Sequence, residues 1–173
     1  GLYSMVSIGA TVILPDDAGR LRPGEDFYVE LRPAFAGHVP EANAVHGLDI
    51  HRLRREGLEP RAAMEQLTAF VERTRLDDSE AVFVGHVAVF DWMYVCWYYH
   101  WCGLPNPFGY KGIDTKSLGM GVLGLRWPDT SKEVMVPELG IDPQPEATLH
   151  RADADARHQA ELLIAMLERA GLA

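Results

Sequence analysis

Residues 81–92 read Ala81-Val82-Phe83-Val84-Gly85-His86-Val87-Ala88-Val89-Phe90-Asp91-Trp92, and this stretch decides the fold. Ala81 to Val84 is a continuous apolar run that stops at a glycine. A run of that length fits a strand buried on both faces, as in a parallel pair covered by helices. The aromatic-rich segment from Asp91 to Trp101 reads as a helix with Asp91 at its opening. A carboxylate at the carboxyl end of a buried strand stands where open α/β sheets collect their sites.

Before this stretch, Met5 to Leu14 alternates, with Val6, Ile8, Ala10, Val12 and Leu14 on one face. That is the period of a half-buried strand. A loop marked by Asp16, Asp17, Gly19, Pro23 and Gly24 follows. Phe27, Val29 and Leu31 then alternate with Tyr28 and Glu30, which predicts an antiparallel pair. Pro60 opens a helix whose apolar positions recur at helical spacing through Arg75. Beyond Trp101, a Pro/Gly-rich turn spans Pro105 to Gly109 and a short strand is expected near Ile113. Gly119 to Pro145 is dense in Gly and Pro and is read as short turns. The last segment is the clearest helix, with Ala152, Ala156, Ala160, Leu163, Leu167 and Ala170 on one stripe. Strand pair, helix, strand, helix, strand and helix make an α/β chain in one domain, residues 1–173.

The composition sets limits on function. At 173 residues, 47% hydrophobic and 24% charged, the chain has ordinary globular composition. No stretch approaches the ~20 apolar residues that span a bilayer. Two cysteines, Cys96 and Cys102, do not make a disulfide scaffold, so a reducing cytoplasmic compartment is the expectation. A net charge of −9 argues against coating long nucleic acid, which relies on many cation–phosphate contacts. It leaves room for an enzyme that gathers carboxylates around metal ions and takes a short phosphodiester there.

Three residues suit such chemistry: Asp91, His150 and Asp155. Carboxylates from two separate elements suit Mg²⁺ or Mn²⁺, hard ions that prefer oxygen ligands. An imidazole in the loop before the last helix suits a general base. An Asp near a helix start also serves as a cap or dipole partner, so spacing alone leaves both readings open. Cys96, His100 and Cys102 with His86 lack the paired spacing of a zinc site, and aromatic packing explains that segment better.

The order of motifs narrows the choice. The run Val84 to Trp92 resembles the second motif of the DnaQ-like 3′–5′ exonucleases, and His150-Arg151-Ala152-Asp153-Ala154-Asp155-Ala156 resembles their third. Asn43-Ala44-Val45-His46-Gly47-Leu48 resembles the Val-His-Gly element that these proteins carry after the second or third strand. Pro107-Phe108-Gly109-Tyr110, followed by Asp114-Thr115-Lys116-Ser117-Leu118, is similar to a small bacterial branch. The resemblance covers nearly the whole chain. It implies a ribonuclease H-like fold, a mixed five-stranded sheet flanked by helices, with a two-metal Mg²⁺ or Mn²⁺ site.

By the same resemblance Asp91 and Asp155 are expected metal ligands and His150 the catalytic base of the His-type (DEDDh) subgroup. His46, Leu48, His86 and Phe90 are expected to contact the terminal nucleotide. The implied reaction is hydrolysis from the 3′ ends of single-stranded DNA or RNA, or of short oligonucleotides. A homodimer is among the implied assemblies. The family's first motif, D-x-E on a central first strand, has no counterpart ahead of the Met5–Leu14 strand. The chain is therefore expected to be truncated at its N-terminus relative to the family. The alternative is an exonuclease-like module without catalysis that binds nucleic-acid ends or a polymerase partner.

Overall fold

The computed structural model describes residues 3–37, 39–77 and 79–173. Strands β1 (Ser7–Pro15) and β2 (Leu21–Glu30) pair antiparallel, from Ser7↔Glu30 to Pro15↔Leu21, with a register shift between Thr11 and Ile13. Two short helices, α1 (Pro40–His46) and α2 (Ile50–Glu56), lead into α3 (Pro60–Thr74). Strand β3 (Phe83–Gly85) then runs into helix α4 (Ala88–Trp101). Strand β4 (Gly112–Asp114) pairs parallel with β3 through Val84↔Ile113. Helices α5 (Thr115–Leu123), α6 (Lys132–Glu138) and α7 (Ala152–Arg169) complete the chain. No helix of the described residues is long and apolar enough to cross a membrane.

The expected α/β order holds, and so do the antiparallel and parallel pairs. Among the described residues the strands form two separate two-stranded sheets rather than five strands in one. Between β1 and β3 lies a cavity of about 950 Å³, walled by the β1 edge, residues 79–84, and helices α3, α4 and α7. This gap changes the burial expected from the sequence. Of the alternating β1 residues only Ile8 is buried, while Val6, Ala10, Val12 and Leu14 are half-buried. Strand β3 is not buried on both faces either: Phe83 and Val84 are half-buried and Val82 is exposed. Each meets a helix on one side and the cavity on the other.

Two cores hold the elements. In the larger, Ala63, Met64, Leu67, Phe70 and Val71 of α3 meet Val95, Tyr98 and Tyr99 of α4 above β1 and β2. Both buried tyrosines keep a partner for the hydroxyl, as burial requires. Met5 N–H donates to Tyr98 Oη at 2.8 Å, and Tyr99 Oη pairs with Thr68 Oγ1 at 3.1 Å. Aromatic packing thus accounts for much of the α4 composition, with Trp97 stacked on Trp101 at 5.0 Å between centroids.

The smaller core joins Met135 and Val136 of α6 to Leu162 and Met166 of α7, with Leu118, Val122 and Leu123 of α5 packed against it. It lies in the region read as turns. Gly119 lies within α5, and a Cβ there would sit 2.7 Å from Met135 Cε, so the missing side chain lets α5 and α6 approach. Pro137 falls in the last turn of α6. Helix α7 consequently buries two faces: Ala160 and Leu163 on the expected stripe, and His158, Leu162 and Met166 towards the second core.

Candidate active site

Strand β3 ends at Gly85, and the next two residues turn the chain into α4. Val87 adopts φ 61°, a left-handed conformation costly for a β-branched residue. Three hydrogen bonds hold this turn. His86 N–H donates to Gln159 Oε1 at 3.0 Å, Ala88 N–H to Asp114 Oδ2 at 2.6 Å, and His86 Nδ1 meets Thr115 Oγ1 at 2.9 Å. Thr115, fully buried, also donates its hydroxyl to Gly85 O at 3.3 Å, which leaves its oxygen to accept from His86 Nδ1–H. Asp114 accepts from Ser117 N–H as well, capping α5 while it anchors the first amide of α4.

The helix therefore begins at Ala88, three residues earlier than the sequence suggested, and Asp91 sits inside its first turn. Asp91 is exposed, its open side facing the cavity, while the protein atoms packed around the first turn of α4 withdraw it from bulk water. That loss of water pushes its carboxyl up to about 6, with its own backbone amide and Lys132 pulling the other way. His86 moves in the opposite direction, down to about 4, through burial and then the nearby cations of Lys132 and Lys116. It is a neutral imidazole at physiological pH.

The second carboxylate arrives on α7. Gly9 of β1 faces the start of this helix, where small residues (Ala152, Ala154, Ala156) allow close approach. Asp155 lies in the first turn, where its charge suits the helix dipole. Its Oδ1 accepts from Gln144 Nε2 at 2.7 Å. His150 precedes the helix at φ 64°. With Val87 it makes two non-glycine residues at positive φ among those described, and both border α4 or α7 at their carboxylate-bearing ends. Such strain concentrates at functional sites.

The cavity brings four of the seven sequence candidates together: Asp91, Asp155, His46 and Phe90 all line it. Phe90 is 58% exposed and packs edge-on against Tyr94 at 5.3 Å. His46 closes α1, its Nδ1 accepts from Leu48 N–H at 3.0 Å, and burial lowers its pKa. Leu48 is half-buried beside it, outside the lining. His86 also lies off the cavity wall, turned to Thr115, and His150 stands on the exposed loop rather than in the wall.

Sequence reasoning missed four residues around this site. Asp114, Thr115 and Gln159 fix the turn before Asp91. The fourth, Lys132, is half-buried at the start of α6. Burial lowers its pKa, while Asp155, Glu133 and Asp91 each attract its charge, so its ammonium lies in the field of both site carboxylates. It makes no ion pair within 4.0 Å among the described residues. As one of three lysines against thirteen arginines it carried a compositional signal, but it sat in the stretch read as turns.

Asp91 and Asp155 offer hard oxygen donors from two elements to one space, the donor type that Mg²⁺ or Mn²⁺ prefers. Mg²⁺ usually takes one or two carboxylates and completes its shell with water and substrate phosphate. Asp91 and Asp155 match that donor chemistry and face the same cavity. Among the described residues no group of three or more His, Cys, Asp or Glu side chains assembles, so they do not supply the donors of a second ion.

No family model matches the chain. It is 36% identical over 166 residues to a protein of Escherichia coli named 3′–5′ DNA exonuclease Cap18, covering 94% of this chain and 81% of that one. The nuclease domain of 3′hExo, described as a DEDDh family member bound to rAMP, superimposes with a TM-score of 0.72. That match has 12% identity and covers 97% of this chain and 94% of that one. A 3′-exonuclease described as recognising the histone mRNA stem-loop gives 0.72 at 11% identity, covering 97% and 83%. At such identities the two structures show a shared fold, the ribonuclease H-like nuclease fold.

Proposed function

The chain belongs to the 3′–5′ exonucleases, and from that premise we propose that it is of the DEDDh type and removes nucleotides from the 3′ ends of single-stranded DNA with a divalent cation, Mg²⁺ or Mn²⁺, at Asp91 and Asp155. The observation that carries this reading is the convergence of those two carboxylates on one cavity. A cation bound there would supply Lewis-acid stabilisation of charge on the phosphoryl oxygens.

The protein's own groups divide the remaining work. Asp91 and Asp155 would hold the cation. His150, exposed and outside the wall, takes the proton of the attacking water, a role that suits an imidazole with access to solvent. Phe90 offers an exposed ring face to the terminal base, a type of contact worth about 1–3 kcal/mol per base. His46, oriented by the Leu48 amide, borders the same pocket. His86 holds the turn before Asp91 in place, with contact to the nucleotide secondary to that task.

DNA is proposed from the Escherichia coli relative, whose name specifies it. The net charge of −9 favours short or single-stranded ends over long duplex. The non-catalytic binding alternative draws no support from a relative named as an exonuclease. The test is digestion of 5′-labelled single-stranded DNA and RNA of the same sequence with Mn²⁺. A ladder shortening from the 3′ end, faster on DNA, is expected. Internal cuts, or cleavage of RNA alone, would overturn the proposal.

A further inference from the structure

Gln144 sits between two prolines, Pro143 and Pro145, in the segment that leads from α6 to α7. The proline rings fix φ on both sides and limit where the intervening residue can point. Its side chain is half-buried, and its amide nitrogen is used twice: Nε2 donates to Thr148 O at 2.9 Å and to Asp155 Oδ1 at 2.7 Å. An NH₂ group has two protons to give, and both are committed.

Those two acceptors belong to different parts of the site. Thr148 closes the single 3₁₀ turn Glu146–Thr148, two residues before His150 at φ 64°. Asp155 is the carboxylate that α7 brings to the cavity. A second tie, between His158 Nε2 and Asp142 O at 3.2 Å, straps the same segment to α7 one turn further on. Backbone bonds run alongside, Arg151 N–H donating to Thr148 O at 3.2 Å and Asp155 N–H to Arg151 O at 2.8 Å, but it is the Gln144 amide that reaches the Asp155 carboxylate itself. With Oδ1 committed to Gln144, the other oxygen of Asp155 is left for a cation.

We propose that Gln144 is a positioning residue for the exonuclease reaction: one amide sets the orientation of the Asp155 carboxylate and, through Thr148, the place of the His150 turn. This rests on the roles proposed above for Asp155 and His150. Groups that orient a metal ligand from behind typically matter ten- to a hundredfold in affinity or activity when removed.

The test uses Gln144→Met, which keeps the length of the side chain and loses both donors, on the full chain. Three readouts apply: direct Mn²⁺ binding by calorimetry, kcat and KM on a single-stranded oligonucleotide, and Tm without metal. The expected result is roughly a tenfold or greater loss in Mn²⁺ affinity and in kcat, with KM and Tm close to wild type. In an Asp155→Ala background, Gln144→Met should cause no further loss of Mn²⁺ affinity. Gln144→Asn, which keeps the donor but withdraws it by one methylene, stands in where Gln144→Met fails to fold and should show the same losses.

Unchanged Mn²⁺ affinity and kcat in a folded variant would overturn the proposal. So would an equal further loss of affinity in the Asp155→Ala background, because the effect would then not run through Asp155. Absence of exonuclease activity in the wild type would instead count against the proposed function. The Mn²⁺-binding cycle separates the two outcomes.

Discussion

The backbone of Ala152 passes so close to Gly9 that a Cβ on Gly9 would lie 2.0 Å from the Ala152 carbonyl carbon. Only hydrogen fits there. The contact seats the start of α7, and therefore Asp155, against β1. Because the obstacle is backbone and not a movable side chain, Gly9→Ala should lower unfolding free energy by about 3 kcal/mol, measured by urea denaturation. Mn²⁺ binding should weaken in the folded fraction as α7 shifts. A variant with wild-type stability would show that α7 is not seated by this contact.

Neighbouring leucines on α7 test the cavity. Leu162 is fully buried in the second core, whereas Leu163 lines the cavity. The cost of a Leu→Ala change grows with the void that is left and the contacts that are lost. Leu162→Ala should cost about 4 kcal/mol and Leu163→Ala about 2. Equal losses would mean that the cavity side is as closely packed in solution as the α5–α6 side.

Periodicity made β1, β2, α3 and α7 legible because each carries an apolar repeat of its own period, although α7 also buries a second face towards α5 and α6. It failed at Gly119 and Pro137, where glycine and proline usually mark turns. Gly119 lies inside α5 with Met135 in the place a side chain would take, a tertiary fact that no local pattern carries. Strand β3 was legible as an element but not in its burial, since the cavity beside it depends on how the sheets are placed. Of the seven candidates that motif resemblance singled out, Asp91, Asp155, His46 and Phe90 share the cavity. Gln144 and Lys132 were not found, because what marks them is the company they keep in space.

Two groups give opposing pH dependence in the metal-free protein. The folded state raises the Asp91 carboxyl to about 6, so it favours folding at low pH and that contribution is lost as pH rises through about 6. The folded state lowers His86 to about 4, so its contribution is present above the ordinary histidine range and is lost as pH falls through about 4. Between these values the two slopes oppose each other. In Asp91→Asn, stability should therefore climb with pH across this window; in His86→Asn it should fall. Urea midpoints at about pH 4.5 and 6.5 with chelator present check both signs. Parallel slopes in the two variants would contradict the assigned burial.

The division of labour between imidazole and carboxylate has its own signature. His150→Ala should reduce kcat by roughly a hundredfold or more while Mn²⁺ binding stays near wild type, since general base catalysis is worth about that much. Asp155→Asn should lose activity and Mn²⁺ affinity together. Equal loss of both properties in His150→Ala would remove it from the role of base.

The most direct test of the account is digestion of 5′-labelled single-stranded DNA by the wild-type chain, Asp91→Ala and Asp155→Ala, each shown to be folded, across a Mn²⁺ titration. The account predicts stepwise shortening from the 3′ end by the wild type. Neither variant should shorten the DNA at Mn²⁺ concentrations that saturate the wild type. Shortening by either variant at wild-type rate would contradict the claim that these two carboxylates form the catalytic centre.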